Sequence, residues 1–134
     1  MKSALCAVLL ATFAMLTACS NTMSGGSPTL SVVASPEWAQ HQDFLDTLEH
    51  RVKSEWHANI TMDKVHPPAG TTVTVEIRYY ADGGEPAPIS ISGGDRKSER
   101  ACARALMKVK EAWTPEMIKS LGDHQTMTFT FVYP

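Results

Sequence analysis

Two stretches of unbroken two-residue alternation constrain this chain more than any other feature. From Thr71 to Tyr80, Val73, Val75, Ile77 and Tyr79 point one way, and Thr72, Thr74, Glu76, Arg78 and Tyr80 point the other. From Gln125 to Tyr133, Met127, Phe129, Phe131 and Tyr133 alternate with Thr126, Thr128, Thr130 and Val132. A period of two does not suit a helix. One apolar and one polar face is the pattern of a half-buried antiparallel strand. Ala81-Asp82-Gly83-Gly84 signals a hairpin turn, and a return strand runs through Ile89 and Ile91. Pro86 and Pro88 hold the start of that strand at an edge or out of the ladder.

Between the strands the period changes to that of a helix. Ser35-Pro36-Glu37 reads as a start signal, with Ser as N-cap, Pro in the first turn and Glu at the positive end of the dipole. Trp38, His41, Leu45, Leu48, Val52 and Trp56, flanked by Phe44, then predict a long amphipathic helix ending near His57. Ala58 to Gly70, with Pro67-Pro68, reads as a loop. A second helix is predicted from about Ser98 to Trp113, with Cys102, Ala105, Leu106, Val109 and Trp113 as its apolar face. Thr114-Pro115-Glu116 opens a short helix that Gly122 stops. The expected fold is α+β: a three-stranded antiparallel sheet with two helices packed on one face, in the order α-β-β-α-β.

The amino terminus carries an address. Lys2 precedes an apolar run from Ala4 to about Leu16, the length of a signal-peptide core and short of the roughly 20 residues that span a bilayer. Leu16-Thr17-Ala18-Cys19 resembles the lipobox of bacterial lipoproteins. That resemblance implies cleavage after residue 18 and acylation of Cys19, whose three acyl chains exceed the two signals needed for stable anchoring. Residues 1–18 are then a signal peptide, 19–35 a tether and 36–134 the folded domain. The tether is rich in Ser, Thr, Asn, Gly and Pro, although Leu30 to Ala34 could form a short strand or pack on the domain. Ser20 after Cys19 differs from the Asp that retains lipoproteins at the inner membrane of enteric bacteria, and so points to the outer membrane with the domain in the periplasm.

Size and charge exclude several classes. With 134 residues there is room for one small domain, and removing Lys2 with the leader changes the net charge only from −2 to −3. That balance does not steer the chain to nucleic acid. Multi-domain enzymes, membrane channels and miniproteins built on several disulfides are excluded. Cys6 leaves with the leader, Cys19 is consumed by lipid, and Cys102 lies in a helical apolar stripe, where a small core residue is expected. His50 and His57 stand about two helical turns apart, roughly 10 Å, beyond chelating distance. His66 and His124 are read as loop residues, and no metal site, cofactor or catalytic residue is expected. Gly93-Gly94 has no phosphate-loop motif around it. Arg96, Arg100, Arg104 and Lys108 recur every four residues and form a basic stripe, either a solvated face or a docking face for acidic groups.

The order of these motifs resembles the carboxy-terminal domain of the TonB and TolA family of envelope proteins, over about Asp43 to Tyr133. Trp56 ends the first helix, and Val73-Thr74-Val75-Glu76-Ile77 leads into Asp82-Gly83. Ile89-Ser90-Ile91-Ser92-Gly93-Gly94 closes the second strand, with Gly93 where a Ser is common. Glu99 opens the second helix before Ala101, Cys102 and Ala105; Pro115 and a final Phe129-Thr130-Phe131 strand follow. The resemblance implies a non-enzymatic binding module that accepts a partner strand at a sheet edge. The family's membrane helix and long periplasmic spacer are missing here, which argues against energy transduction. The expected function is that of an envelope lipoprotein binding another envelope protein, such as a transporter, secretion or cell-wall component. The carboxy-terminal strand is the expected edge, with Thr126, Thr128, Thr130 and Val132 facing the partner. The alternative is a small-ligand or lipid-binding module with a cleft between helix and sheet.

Overall fold

The computed structural model describes residues 28–134, so the leader, Cys19 and the first part of the tether lie outside the described residues. The frame is a pair of nine-residue strands, β2 (Thr72–Tyr80) and β4 (His124–Val132), antiparallel from Thr72↔Val132 to Tyr80↔His124. Both alternate as the sequence predicts. Val73, Val75, Ile77, Tyr79, Met127, Phe129, Phe131 and Tyr133 are buried, and the intervening residues are half-buried or exposed. β3 (Ala87–Ser92) returns alongside β2 through a turn in which Asp82 Oδ1 accepts from the Gly84 N–H at 2.8 Å.

The sheet has four strands and not three. Thr29–Val33, placed by the sequence reading in the tether, forms β1 and pairs antiparallel with β4, giving the order β1-β4-β2-β3. Its short period-two pattern suffices because Leu30 and Val32 lie beside Phe131 and Phe129 on the apolar side. Leu30 is buried there. The described fold therefore takes in Thr29–Val33, residues that the sequence reading gives to the tether before Pro36.

The helices cover the apolar side of the sheet. Pro36–His41 forms a 3₁₀ turn, and the α-helix proper, α1, runs Gln42–Met62. Ser35 does not cap it with its side chain: the hydroxyl donates to Gln125 Oε1 at 3.0 Å and ties the turn to β4. α1 lays Leu48, Val52, Trp56 and Ile60 on the sheet, with the Trp56 ring edge-on to Phe131 and Tyr133 at 5.0 and 5.1 Å. Burying one such indole is worth several kcal/mol, of the order of 3–5 when truncated to Ala.

α2 (Arg96–Lys108) starts two residues earlier than the sequence suggests, because Asp95 is its N-cap and accepts from the Ser98 N–H at 2.7 Å. It also ends earlier, at Lys108. Val109 is extended, and the Trp113 N–H donates to the Ala81 carbonyl at 2.8 Å, so this segment runs along the hairpin rather than as a helix. Trp113 and Trp38 meet edge to face at 5.5 Å and seal that end of the core. α3 (Pro115–Leu121) is the short capped helix, with Thr114 Oγ1 accepting from Met117 N–H at 3.2 Å. Among the described residues no helix is long and apolar enough to cross a membrane.

Candidate docking edge

A sheet whose one face is covered by helices has three places to meet a partner: its open face and its two edges. Rows of side chains run straight across the open face. Ser31, Thr130, Thr74 and Ser92 are cross-strand neighbours through all four strands, and Val33, Thr128, Glu76 and Ser90 form the next row. The face is hydroxyl-rich, with Glu76 and Arg78 as its charges on β2. A surface of this kind is comfortable in water.

The expectation that β4 is the free edge is corrected by this topology. β4 is internal, bonded to β2 along its whole length and to β1 over Thr128–Val132. Thr128, Thr130 and Val132 have strands on both sides. Thr126 pairs with Arg78 and lies just past the end of β1. The backbone of β4 is thus occupied, and the side chains of the four residues belong to the open face.

The true edges differ in how well they are guarded. An edge strand exposes unpaired N–H and C=O groups, and proteins blunt it with charge, proline or a bulge. β3 has such guards: Pro88 lies within it, Pro86 precedes it, and its register with β2 shifts between Glu76 and Ile77. β1 is more lightly guarded: it is short and Pro28 precedes it, but Thr-Leu-Ser-Val-Val itself contains no charge and no proline, its register with β4 is regular, and Val33 is 67% exposed. A groove of about 310 Å³ runs beside it, bordered by Val32, Ala34, Trp38 and Leu45, with Glu49 at its rim. Burial, and next the neighbouring Asp46, push the Glu49 carboxyl above its ordinary range. Sequence reading had only a five-residue signal for this strand, inside a stretch whose composition is that of a tether.

The other candidates take definite places. Of the basic stripe, Arg104 approaches Asp63 at 3.7 Å and Lys108 approaches Glu55 at 3.9 Å, so half of it is spent on exposed ion pairs with α1. Such pairs are worth little individually. Arg96 and Arg100 are exposed and have no ion pair among the described residues. Cys102 is fully buried with its Sγ 3.4 Å from the Tyr133 hydroxyl, and burial pushes its thiol up to about 12. A thiol in that state is not a nucleophile at neutral pH. Among the described residues no group of three or more His, Cys, Asp or Glu side chains could hold a metal ion.

The helix–sheet interface does not open into a cleft where Phe44, Leu48, Tyr79, Trp113 and Met127 meet. The cavity there is about 10 Å³, at the lower limit for a single water. A larger groove of about 710 Å³ lies outside that interface, between the start of α1 and α3, and is lined by His41, Asp43, Phe44, Glu111, Glu116 and Met117. It is an open surface depression with His41 hydrogen-bonded to Ser120 at 2.6 Å. No family model matches this sequence, and no characterised protein or solved structure matches it either.

Proposed function

We propose that this chain is a membrane-anchored lipoprotein of the bacterial envelope whose domain binds protein partners by strand addition, and that the pairing edge is β1. Its lipobox-like Leu16-Thr17-Ala18-Cys19 supports anchoring through Cys19, and Ser20 supports the outer membrane with the domain in the periplasm. The resemblance to the TonB and TolA carboxy-terminal domain supports the binding class. Neither reading calls for an enzyme, a cofactor or nucleic acid.

The observation that carries the site is the lightly guarded state of β1: among the described residues it is an outermost, regular, uncharged strand, with a groove of mixed polar and apolar lining beside it. Backbone pairing supplies affinity in strand addition, and pockets for alternate side chains supply selectivity. The groove beside Val32 and Ala34 is such a pocket. An incoming strand with small or branched apolar residues at every second position satisfies both.

A photo-crosslinking residue placed at Val33 in intact cells tests the reading. It should capture protein, and Ser31→Lys should suppress the capture by charging the edge. The same probe at Ile89 on β3 should capture little, and Arg100→Glu should leave the Val33 product unchanged. Silence at Val33 with strong products at Ile89 or along α2 would overturn the choice of edge. The small-ligand alternative has the interface of α1 with the sheet against it, because that space is filled.

A further inference from the structure

We infer that the end of the domain where β1 begins docks on the anionic headgroup surface of a bilayer, through Lys64, Arg96, Lys97 and Arg100. The inference goes beyond strand addition and rests only on the anchoring part of the proposed function. Its basis is where the topology gathers charge. The register Thr29↔Val132↔Thr72 puts the start of β1, the end of β4 and the start of β2 at one end of the sheet. Ser92 pairs with Thr74 there, so β3 ends and α2 begins at the same end. The segment after α1 is fixed there too. The Gly70 N–H donates to the Tyr133 carbonyl at 3.0 Å, and the Tyr133 N–H donates to the Thr71 carbonyl at 2.9 Å.

Side-chain charge divides unevenly between this end and the rest of the domain. Lys64, Arg96, Lys97, Arg100 and Arg104 lie here, against Asp63, Asp95 and Glu99. The rest of the described residues hold six Lys and Arg against eleven Asp and Glu. Even with a carboxylate at Pro134 counted against it, this end is positive and the remainder negative. The three acidic side chains here all have partners within the protein. Asp95 accepts from the Ser98 N–H at 2.7 Å, Glu99 accepts from the Gly94 N–H at 3.2 Å, and Asp63 lies 3.7 Å from Arg104. Lys64, Arg96, Lys97 and Arg100 are exposed and form no ion pair among the described residues. Four solvated cations thus stand at the end where the chain leads back to Cys19.

That chain selects the occupant. Ten residue steps from Cys19 to Thr29 span at most about 35 Å. The opposite end of the sheet lies about 27 Å further away along β2. A lipid at Cys19 therefore holds the positive end toward the membrane and the negative remainder away from it. Attraction to anionic headgroups fades within a Debye length, about 8 Å at physiological ionic strength. Anchoring raises the effective concentration of the cations at the surface, so a modest charge suffices.

Fluorescence quenching on the full chain in vesicles tests the docking. Ala69→Cys places a thiol-linked fluorophore at the positive end, and Ala112→Cys places one beside the hairpin turn at Gly83; both positions are exposed. Cys102 is buried and stays unlabelled. The vesicles contain phosphatidylglycerol and phosphatidylcholine, with a nitroxide quencher on the headgroups. Quenching at Ala69 should fall about threefold when phosphatidylcholine replaces phosphatidylglycerol. It should fall as far when Arg96, Lys97 and Arg100 are all changed to Gln, with circular dichroism as the folding control. Quenching at Ala112 should change little in both cases. An Ala69 signal that withstands either change, or an Ala112 signal that falls equally, would overturn the inference and leave the cations to an acidic protein. Peptide mapping of the same preparation reads acylation of Cys19 separately. An acylated chain whose Ala69 signal ignores charge defeats the docking and keeps the anchor. If Cys19 is unacylated, the parent chain should still sediment with phosphatidylglycerol vesicles at low salt, and the triple Gln variant should not. Any other pattern removes the docking together with the anchor.

Discussion

Cys102 and Tyr133 show how packing keeps a lone thiol inert, as its place in the apolar stripe of α2 leads one to expect. The Tyr133 hydroxyl donates to the Ser98 carbonyl at 3.1 Å, so its oxygen is left to accept from the thiol. The proton stays on sulfur, and burial keeps it there. Cys102 should therefore be silent to a thiol reagent in the native protein and react on unfolding, as peptide mapping of the labelled chain would show. Cys102→Ser should cost of the order of 1 kcal/mol or more in chemical denaturation, because a better-solvated hydroxyl replaces a soft apolar group. Rapid native labelling at this position would contradict the packing. Asp95 is the opposite case, an exposed residue with a definite role. The Ser98 backbone N–H, and after it the Ser98 side chain, hold its carboxyl below the ordinary Asp range. A depressed carboxyl stabilises the fold above its unfolded pKa, and that contribution is lost as pH falls through its folded value. Asp95→Asn keeps a capping oxygen and removes the titration. Melting at neutral pH should change little, whereas the stability lost between neutral and acid pH should be smaller than in the parent protein.

At the scale of elements, the link between β3 and α2 is the most tightly specified turn. Gly93 has φ +109°, and a Cβ there would collide with the Thr72 carbonyl oxygen on β2. Both the conformation and the space require glycine. Gly122, at the end of α3, has φ +85° but open space around it. Gly93→Ala should thus cost of the order of 2–4 kcal/mol, and Gly122→Ala visibly less, in parallel urea titrations. Equal costs would mean that the β2 backbone yields. The elements also show where sequence reading works. The alternation of β2 and β4, the stripe on α1 and the Thr114-Pro115 start of α3 are local patterns, and the fold keeps them. The sequence reading carried α2 on to Trp113 because Val109 and Trp113 fall at helical spacing. Trp113 is instead held by the Ala81 carbonyl and the Trp38 ring, which are contacts no local pattern encodes. For the same reason the sequence offers β1 only as one option, a short strand over Leu30 to Ala34 within the tether. Five residues after a Gly- and Ser-rich stretch become a strand because Phe129 and Phe131 lie beside them. With that strand left out of the expected three-stranded sheet, the last strand looks like an edge, and the candidate site falls one strand too far in.

For the whole molecule, the position of β1 in the chain connects the edge to the anchor. Ten residue steps separate Cys19 from Thr29, a span of at most about 35 Å even when fully extended. If Cys19 carries lipid, β1 is the element held nearest the bilayer, and its edge meets whatever shares that membrane. Cys19→Ala should release the protein from membranes after an alkaline wash, with the circular dichroism and melting of the domain unchanged, because Cys19 lies ten residues before β1 in the chain. A Cys19→Ala protein that still fractionates with membranes would remove the lipid anchor from this account.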